Sequence, residues 1–154
     1  MDVRLANGAE LARAQRIILD AWGDPIVVRD RDYPVGSLAH CLVAGDFEGV
    51  AAFTRDEKPV CELVAIIATT PWQGVGTALI EALRRELADG FTQIRLMTTN
   101  DNVDALRFYQ RRGFRLTSLR AGAVDEARRR KPQIPLTGDH GIPVRDEIDL
   151  TLDL

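Results

Sequence analysis

The chain has 154 residues, a formal net charge of −3 at pH 7, 45% hydrophobic residues and 28% charged residues, which is typical of one soluble globular domain with a single core. The acidic balance argues against nucleic acid as the main partner, and no apolar run is long enough to span a membrane. With two histidines and two cysteines, no metal site is expected; Cys41 and Cys61 are predicted to be buried thiols. The polar start of the sequence predicts a cytoplasmic protein.

The first part of the chain predicts a strand, a helix and an antiparallel meander. Residues 3–6 are predicted as a strand, and apolar residues at steps of three and four predict a helix over Ala9–Trp22, closed by Gly23. The mixed segment 24–38 is predicted as loop. Turn signals then separate a run of apolar segments. These segments are the predicted strands 38–44, 49–54 and 60–68.

A glycine-rich turn between a strand and a helix is the clearest functional signal. The run Leu63–Ile67 precedes Gln73-Gly74-Val75-Gly76-Thr77-Ala78, and an amphipathic helix pattern closed by Gly90 follows it. The first turn of a helix has N–H groups without internal partners and a partial positive charge, so bare backbone here can bind a phosphate. Leu79 replaces the third glycine of a dinucleotide fingerprint and no Gly-Lys-Ser/Thr follows, which favours another phosphate-bearing cofactor. A turn that only permits tight packing is the alternative.

The second part predicts an alternation of strands and helices. Asn102 is a candidate N-cap for a helix over Val103–Arg112, and Gly113 stands where a left-handed C-cap belongs. Residues 120–144 are rich in Arg, Pro and Gly, with a helical run at 124–130. The remaining predicted strands are 93–98, 114–119 and 147–154.

The order of elements predicts the fold class. It is β-α-β-β-β-α-β-α-β-β, a mixed α/β (α+β) architecture with a mostly antiparallel central sheet flanked by helices. We expect one domain over residues 1–154, with an insert at about 120–144 between the last two strands.

Two separate motifs together resemble the GNAT superfamily of acetyl-CoA-dependent N-acetyltransferases. The block Pro71–Ile80 is similar to the family's pyrophosphate loop, with Gly74 and Gly76 in the glycine positions. The block Thr99–Phe114 is similar to the family's Asn-x-x-Ala-x-x-x-Tyr-x-x-x-Gly-Phe segment. The residues that match this second motif are Asn102, Ala105, Tyr109, Gly113 and Phe114.

The resemblance is close over about residues 47–119. Beyond it, the Thr-Thr-Asn-Asp-Asn run that ends at Asn102, together with the tail of the chain, is similar to a bacterial subgroup of small GNAT proteins. One position departs from the family pattern: Pro71 stands where Gln or Arg is usual. Because proline has no N–H, Gln73 and the bare amides that follow are expected to hold the phosphates.

The resemblance implies transfer of an acetyl group from acetyl-CoA to the amine of a small molecule or a peptide. Transfer is direct within a ternary complex, so no protein nucleophile and no metal is needed. In the family the pantetheine arm pairs with main-chain groups of the strand before the loop. The implied cofactor-binding residues are Val64, Ala65, Ile66, Gln73, Gly74, Val75, Gly76, Thr77, Ala78, Asn102 and Tyr109.

Two residues are candidates for catalysis. Tyr109 occupies the family's tyrosine position, where a protonated phenol could serve the leaving thiolate as acid; the alternative is a core aromatic beside Phe108. Glu62, on the strand before the glycine loop, is the candidate base, like the Glu of a similar pattern in some histone-acetylating members. The alternatives are that Glu62 faces solvent and that a water chain takes the proton.

Other interpretations stay open at this point. The chain could be a non-catalytic acyl-CoA-binding or sensing domain, or an interaction module with an accidental glycine turn. The basic run 128–131 is expected to be a solvated helix end, and the insert 120–144 is expected to shape the choice of acceptor. Exposed strand edges are compatible with a monomer or a homodimer.

Overall fold

The structure is a computed structural model that describes residues 1–70 and 73–154. Its α-helices are α1 (Gly8–Trp22), α2 (Val75–Glu86), α3 (Val103–Arg111) and α4 (Ala123–Arg130). Its strands are β1 (Val3–Leu5), β2 (Ile26–Val28), β3 (Arg31–Tyr33), β4 (His40–Ala44), β5 (Gly49–Phe53), β6 (Val60–Ala68), β7 (Gln93–Thr99), β8 (Arg115–Arg120) and β9 (Glu147–Asp153). Short 3₁₀ turns cover Val35–Ser37 and Asp139–Gly141.

The chain forms two compact units, the first made of residues 1–26, 32–94 and 154. Its strands lie in the order β1-β4-β5-β6, and each neighbouring pair is antiparallel. All five residues of β5 are buried, so both faces of that strand are covered. Ile18 of α1 and Leu79 of α2 are fully buried, as expected for amphipathic helices that pack on a sheet.

The second unit consists of residues 27–31 and 95–153. It contains α3, α4 and the strands in the order β7-β9-β8, with β8 and β9 antiparallel. β9 alternates between buried and less buried positions along most of its length, whereas β8 is exposed at five of six residues. The short segment 27–31 is the turn of the β2–β3 hairpin, so this unit is built from two distant parts of the chain.

The predicted fold class, a mixed α/β protein with a mostly antiparallel sheet flanked by helices, is confirmed. The prediction of loop over 24–38 was wrong, because the segment contains β2, β3 and a 3₁₀ turn. Both strands are three residues long, too short for alternation to be recognised, and their turn has positive φ at Arg29 and Asp30 instead of the usual Asn-Gly. Helix α2 ends at Glu86, before Gly90.

The two thiols are buried and free, as predicted. Burial raises the pKa of Cys41 to about 11 and that of Cys61 to about 12, so both stay protonated at neutral pH. Over residues 1–70 and 73–154, no helix combines the length and the apolar character needed to cross a membrane.

Candidate active site

Strand β6 contains a bulge in front of the glycine loop. Ala52 on β5 pairs with Ala65, but the next residue, Phe53, pairs with Leu63, which leaves Val64 as the additional residue on β6. A bulge interrupts the ladder, bends the strand and redirects neighbouring side chains. Ala65 is buried and the strand becomes half-buried from residue 66 onward. The bulge therefore falls within the stretch that was predicted to pair with pantetheine.

Glu62 is buried on the same strand, with 4% of its surface exposed. Its backbone N–H donates to Thr54 Oγ1 at 3.0 Å, and its carbonyl oxygen accepts from the Thr54 N–H at 3.0 Å. The alternative that Glu62 faces solvent is therefore wrong. Alternation suggested it, but β6 is buried on both faces over Cys61–Ala65, so side-chain direction does not determine exposure there.

Helix α2 begins without any side-chain cap. Its N-cap is Gly74, in the left-handed conformation at φ 78°, and the first turn contains no acidic residue. By contrast, the side chains of Asn7 and Asn102 cap α1 and α3, and the first turn of α4 contains Asp125 and Glu126. Of the α-helices in the described part of the chain, α2 alone lacks both a side-chain cap and a first-turn acid. A helix N-terminus without a capping side chain or an acid is suited to an external anion, because of its N–H groups and its partial positive charge.

The helix itself uses one of the amides that were assigned to phosphate binding. The N–H of Ala78 donates to the Gly74 carbonyl oxygen at 3.0 Å, as the first internal hydrogen bond of α2. This bond narrows the predicted set of main-chain donors to residues 73–77. Pro71, the residue that departs from the family pattern, lies outside the described residues.

Gly49, at the start of β5, sets how closely α2 approaches the sheet. A Cβ atom at this position would lie 2.3 Å from Val75 Cγ1, 3.0 Å from Leu79 Cδ1 and 3.0 Å from the Ile67 carbonyl oxygen. Any side chain here would therefore displace the first turns of α2. Sequence reasoning missed Gly49, although a glycine that opens a strand is a known sign of close backbone approach.

Asn102 caps α3, as predicted. Its Oδ1 accepts a hydrogen bond from the Ala105 N–H at 3.3 Å, and its carbonyl oxygen accepts from the Leu106 N–H at 3.0 Å. Gly113 follows the helix at φ 94°, where a residue with a Cβ would be strained.

Tyr109 lies in an aromatic cluster at the end of α3. It is 7% exposed, and its ring lies 5.3 Å from the rings of both Phe108 and Phe114, in edge-on arrangements. Burial raises the pKa of the phenol, which is therefore protonated at any physiological pH. This packing agrees with a core aromatic residue; a role of the hydroxyl in catalysis stays a prediction.

Asn100 ties the segment after α4 to the end of β7. Its Oδ1 accepts from the N–H groups of Arg145 and Asp146, at 2.9 and 3.0 Å, and its Nδ2 donates to the Pro143 carbonyl oxygen at 2.9 Å. One amide side chain thus makes hydrogen bonds to backbone groups of three residues within 143–146. Sequence reasoning grouped Asn100 with the tail by resemblance but did not recognise this contact.

Asp101 makes a second tie beside it. This residue is 7% exposed; it accepts from the Asp139 N–H at 3.0 Å and from the Thr99 hydroxyl. A Cβ on Gly138 would lie 2.0 Å from Asp101 Oδ2, so only glycine fits against this carboxylate. The Thr99–Asn102 block therefore positions the insert as well as capping α3.

The expectation that residues 128–131 are a solvated helix end was wrong for two of the four. Arg128 is partly buried and donates to the carbonyl oxygens of Ile134, Pro135 and Val144 at 2.9–3.2 Å. Lys131 is 8% exposed. Arg128 thus organises the segment that follows α4, which a run of basic letters does not reveal.

The predicted site residues fall on both units. Glu62, Val64, Ala65 and Ile66 lie on β6, and residues 73–78 lie at the start of α2, all in the first unit. Asn102 and Tyr109 lie on α3 in the second unit. In the ranges 1–70 and 73–154, no three His, Cys, Asp or Glu side chains are grouped to hold a metal ion.

Comparison with known proteins identifies the family. The family model described as "Acetyltransferase (GNAT) domain" matches residues 37–116, slightly more than half of the chain. The chain belongs to the GNAT acetyltransferase family. This GNAT protein is also 44% identical over 137 residues to the uncharacterised protein YxbD of Bacillus subtilis strain 168, with 86% of each chain covered.

Solved GNAT structures share the fold. A Bacillus subtilis acetyltransferase in complex with CoA has a TM-score of 0.68 and 22% identity, with 99% of this chain and 97% of that chain covered. A GNAT acetyltransferase from Elizabethkingia anophelis with acetyl-CoA bound has a TM-score of 0.64 and 21% identity, with 75% and 76% covered. At these identities the likeness establishes the fold of this GNAT protein.

Proposed function

We propose that the protein is an N-acetyltransferase that transfers the acetyl group of acetyl-CoA directly to the amine of a small molecule or peptide. The observation that carries the proposal is the uncapped, acid-free N-terminus of α2, which begins at the left-handed Gly74. A helix end of this kind stabilises an anion by its free N–H groups and its dipole. Two solved members of the same fold bind acetyl-CoA or CoA, which supports this choice of anion.

The backbone at the start of α2 is suited to a pyrophosphate. A Cβ atom on Gly74 would meet no atom of residues 1–70 or 73–154 within 4 Å, so the described part of the chain leaves space beside this residue. We assign the phosphate donors to the amides of residues 73–77, and the pantetheine partners to the main chain of Val64, Ala65 and Ile66. In this assignment the bulge at Val64 frees backbone groups of β6 that a regular ladder would occupy.

Tyr109 is proposed to donate a hydrogen bond to the leaving thiolate. Its buried phenol has a raised pKa, whereas an ordinary thiol has a pKa of about 8.5. Full proton transfer from this phenol to the thiolate is therefore unfavourable. The residue would stabilise the developing negative charge by its O–H and would itself stay protonated.

Glu62 is proposed as the base that receives the proton of the attacking ammonium group, directly or through water. The amine must lose a proton to become a nucleophile, and Glu62 is a carboxylate within the buried part of β6. We expect Glu62→Gln to lower kcat/KM and to change the shape of its pH profile. An unchanged profile would assign the proton to a water chain instead.

The uncapped helix end makes a charge test possible. In Gln73→Glu, a carboxylate of equal size replaces an exposed amide just before the N-cap, where it favours the helix but repels pyrophosphate. We expect the Kd of CoA, measured by calorimetry, to rise about fivefold to tenfold at low salt, and less at high salt. The matched control is Gln133→Glu, the same change at an exposed position outside the loop.

Free-thiol release from acetyl-CoA with a panel of amines tests the reaction itself. Release that depends on an amine supports transfer. CoA binding without any amine-dependent release would favour the alternative, a non-catalytic acyl-CoA-binding domain. Failure of CoA to bind at all would refute both.

A further inference from the structure

The second unit contains a cavity of about 190 Å³ that none of the proposed acetyl-CoA residues lines. Arg29 and Asp30 from the hairpin turn, Arg120 from β8, Glu147 from β9, and Glu126 with two alanines from α4 form its walls. The volume equals that of about six water molecules, enough for a short alkyl chain with one polar end. All of these residues belong to the same compact unit.

The positive charges around the cavity are already paired. Arg29 donates to Asp149 Oδ1 at 2.7 Å. Arg120 donates from Nε and one terminal nitrogen to Glu147 Oε1, at 3.2 and 2.8 Å, and it also donates to both oxygens of Asp149. Arg130 donates to the carbonyl oxygen of Asp30, one of the lining residues, at 3.1 Å. An anionic ligand would have to displace a carboxylate from these pairs.

Glu147, which lines the cavity, keeps unused hydrogen-bonding capacity. The residue is 3% exposed, and its Oε1 accepts both bonds from Arg120. Its Oε2 accepts no hydrogen bond from residues 1–70 or 73–154. A carboxylate oxygen without a donor in the protein can accept from water or from a ligand, and a charged donor gives it the strongest hydrogen bond. The wall thus offers an acceptor to whatever enters.

We propose that this cavity binds a small alkylammonium group, held by Glu147 Oε2 with its alkyl chain along the alanines of α4. The insert 120–144 contributes α4 to the cavity. This binding does not depend on the proposed acetyl transfer.

Three probes of equal chain length test the chemistry of the cavity: butylammonium, butan-1-ol and butyrate. Titration of each into the full-length protein, without acetyl-CoA, is followed by the backbone amide NMR signals of Ala123 and Glu147. We expect butylammonium to bind with a millimolar Kd, and the other two to bind at least about tenfold more weakly.

Two variants separate charge from volume. Glu147→Gln keeps the size of the side chain but removes its charge, and Ala123→Leu fills the cavity while leaving every charge in place. Each is expected to weaken butylammonium binding about tenfold or more. Glu81→Gln, an exposed change on α2, serves as the matched control and is expected to bind as the wild type does. Thermal unfolding verifies that each variant is folded.

Butyrate binding equal to or tighter than that of butylammonium would overturn the proposal, as would butylammonium binding that survives both variants. Absence of binding by all three probes would mean that water alone fills the cavity, and would overturn it too. These outcomes are independent of the CoA and thiol-release tests. The proposal of acetyl transfer could therefore be supported while the proposal of alkylammonium binding is refuted, and the reverse is also possible.

Discussion

At the scale of single residues, Tyr109 shows how burial restricts chemistry. The packing of its ring between Phe108 and Phe114 removes water from the hydroxyl, and the consequent rise in pKa makes the phenol a poorer acid but a permanent donor. A donor of this kind acts on charge that develops in the transition state, so its removal should lower turnover and leave substrate binding intact.

We therefore expect Tyr109→Phe to lower kcat about a hundredfold, with the Kd of acetyl-CoA changed less than about twofold. Because the pKa of Tyr109 is raised, the pH profile of wild-type kcat should have no limb from this group below about pH 10. The comparison variant is Tyr33→Phe, the same change at the other tyrosine, which is also buried. Equal turnover in wild type and Tyr109→Phe would exclude the hydroxyl from catalysis.

Some residue-level features could be predicted and others could not. Asn102 was recognised as a cap because capping depends on a few neighbouring residues. The burial of Glu62 and the contacts of Asn100 depend on segments that are distant in sequence, and no local pattern encodes them. The burial and the contacts of Arg128 were missed for the same reason. Its acceptors are backbone carbonyl oxygens, which every residue has, so no residue type in the sequence indicates them.

At the scale of elements, Gly49 determines the position of the start of α2. Because this glycine has no Cβ, Val75 and Leu79 pack directly against the backbone of β5, and this contact sets the distance between the first turn of the helix and the sheet. The order of strand, loop and helix could be predicted from periodicity, but the distance between the helix and the sheet could not. That distance depends on a single glycine, Gly49, on another strand.

Gly49→Ala should consequently lower the free energy of unfolding by about 1–3 kcal/mol, as an overpacked core does. We expect it also to weaken CoA binding, since the first turn of α2 must shift. Urea unfolding and calorimetric titration measure the two effects. Gly36→Ala, where no atom of the described residues lies within 4 Å of the added Cβ, is expected to leave both unchanged.

Ile80→Val distinguishes loss of stability from displacement of the helix. It removes one methylene further along α2 and should cost about 0.5–1.5 kcal/mol without moving the first turn. If Gly49→Ala and Ile80→Val weakened CoA binding equally, the claim that Gly49 positions the first turn of α2 would be contradicted.

At the scale of the whole molecule, the second unit depends on a buried network of charges. Asp149, 7% exposed, accepts hydrogen bonds from Arg120 and Arg29. Burial acts to raise the pKa of Asp149, but these hydrogen bonds outweigh it, and the pKa is lowered overall. The hydrogen bonds to Asp149, and then those to Glu147, raise the pKa of Arg120.

A lowered carboxyl pKa links stability to pH. The stabilisation by Asp149 is complete above the pKa of the unfolded chain, about 3.9, and is lost as the pH falls through the folded value. We expect Asp149→Asn to lower the free energy of unfolding by about 3 kcal/mol at pH 7, and by much less at pH 3. Urea unfolding at both values measures the difference.

Asp46→Asn is the matched control, because the Asp46 side chain is 93% exposed and the distance of its ion pair with Arg13 is 3.7 Å. It should leave stability within about 0.5 kcal/mol of the wild type at either pH. A constant difference between wild type and Asp149→Asn from pH 7 to pH 3 would contradict the linkage.

The fold class followed from the sequence because most elements are long and periodic. The β2–β3 hairpin did not, and neither did the membership of its turn in the second unit. The hairpin turn belongs to the second unit because of pairs such as Arg29 with Asp149. A single sequence does not indicate which charged residues pair across 120 positions.

The bond between Arg29 and Asp149 also has a consequence for biogenesis. The two partners are separated by 120 positions, so a ribosome that adds about 5–20 residues per second makes the second about 6–24 s after the first. During that interval the hairpin turn has been translated but lacks its carboxylate. The first unit can form its four-stranded sheet early, whereas the second must await late translation.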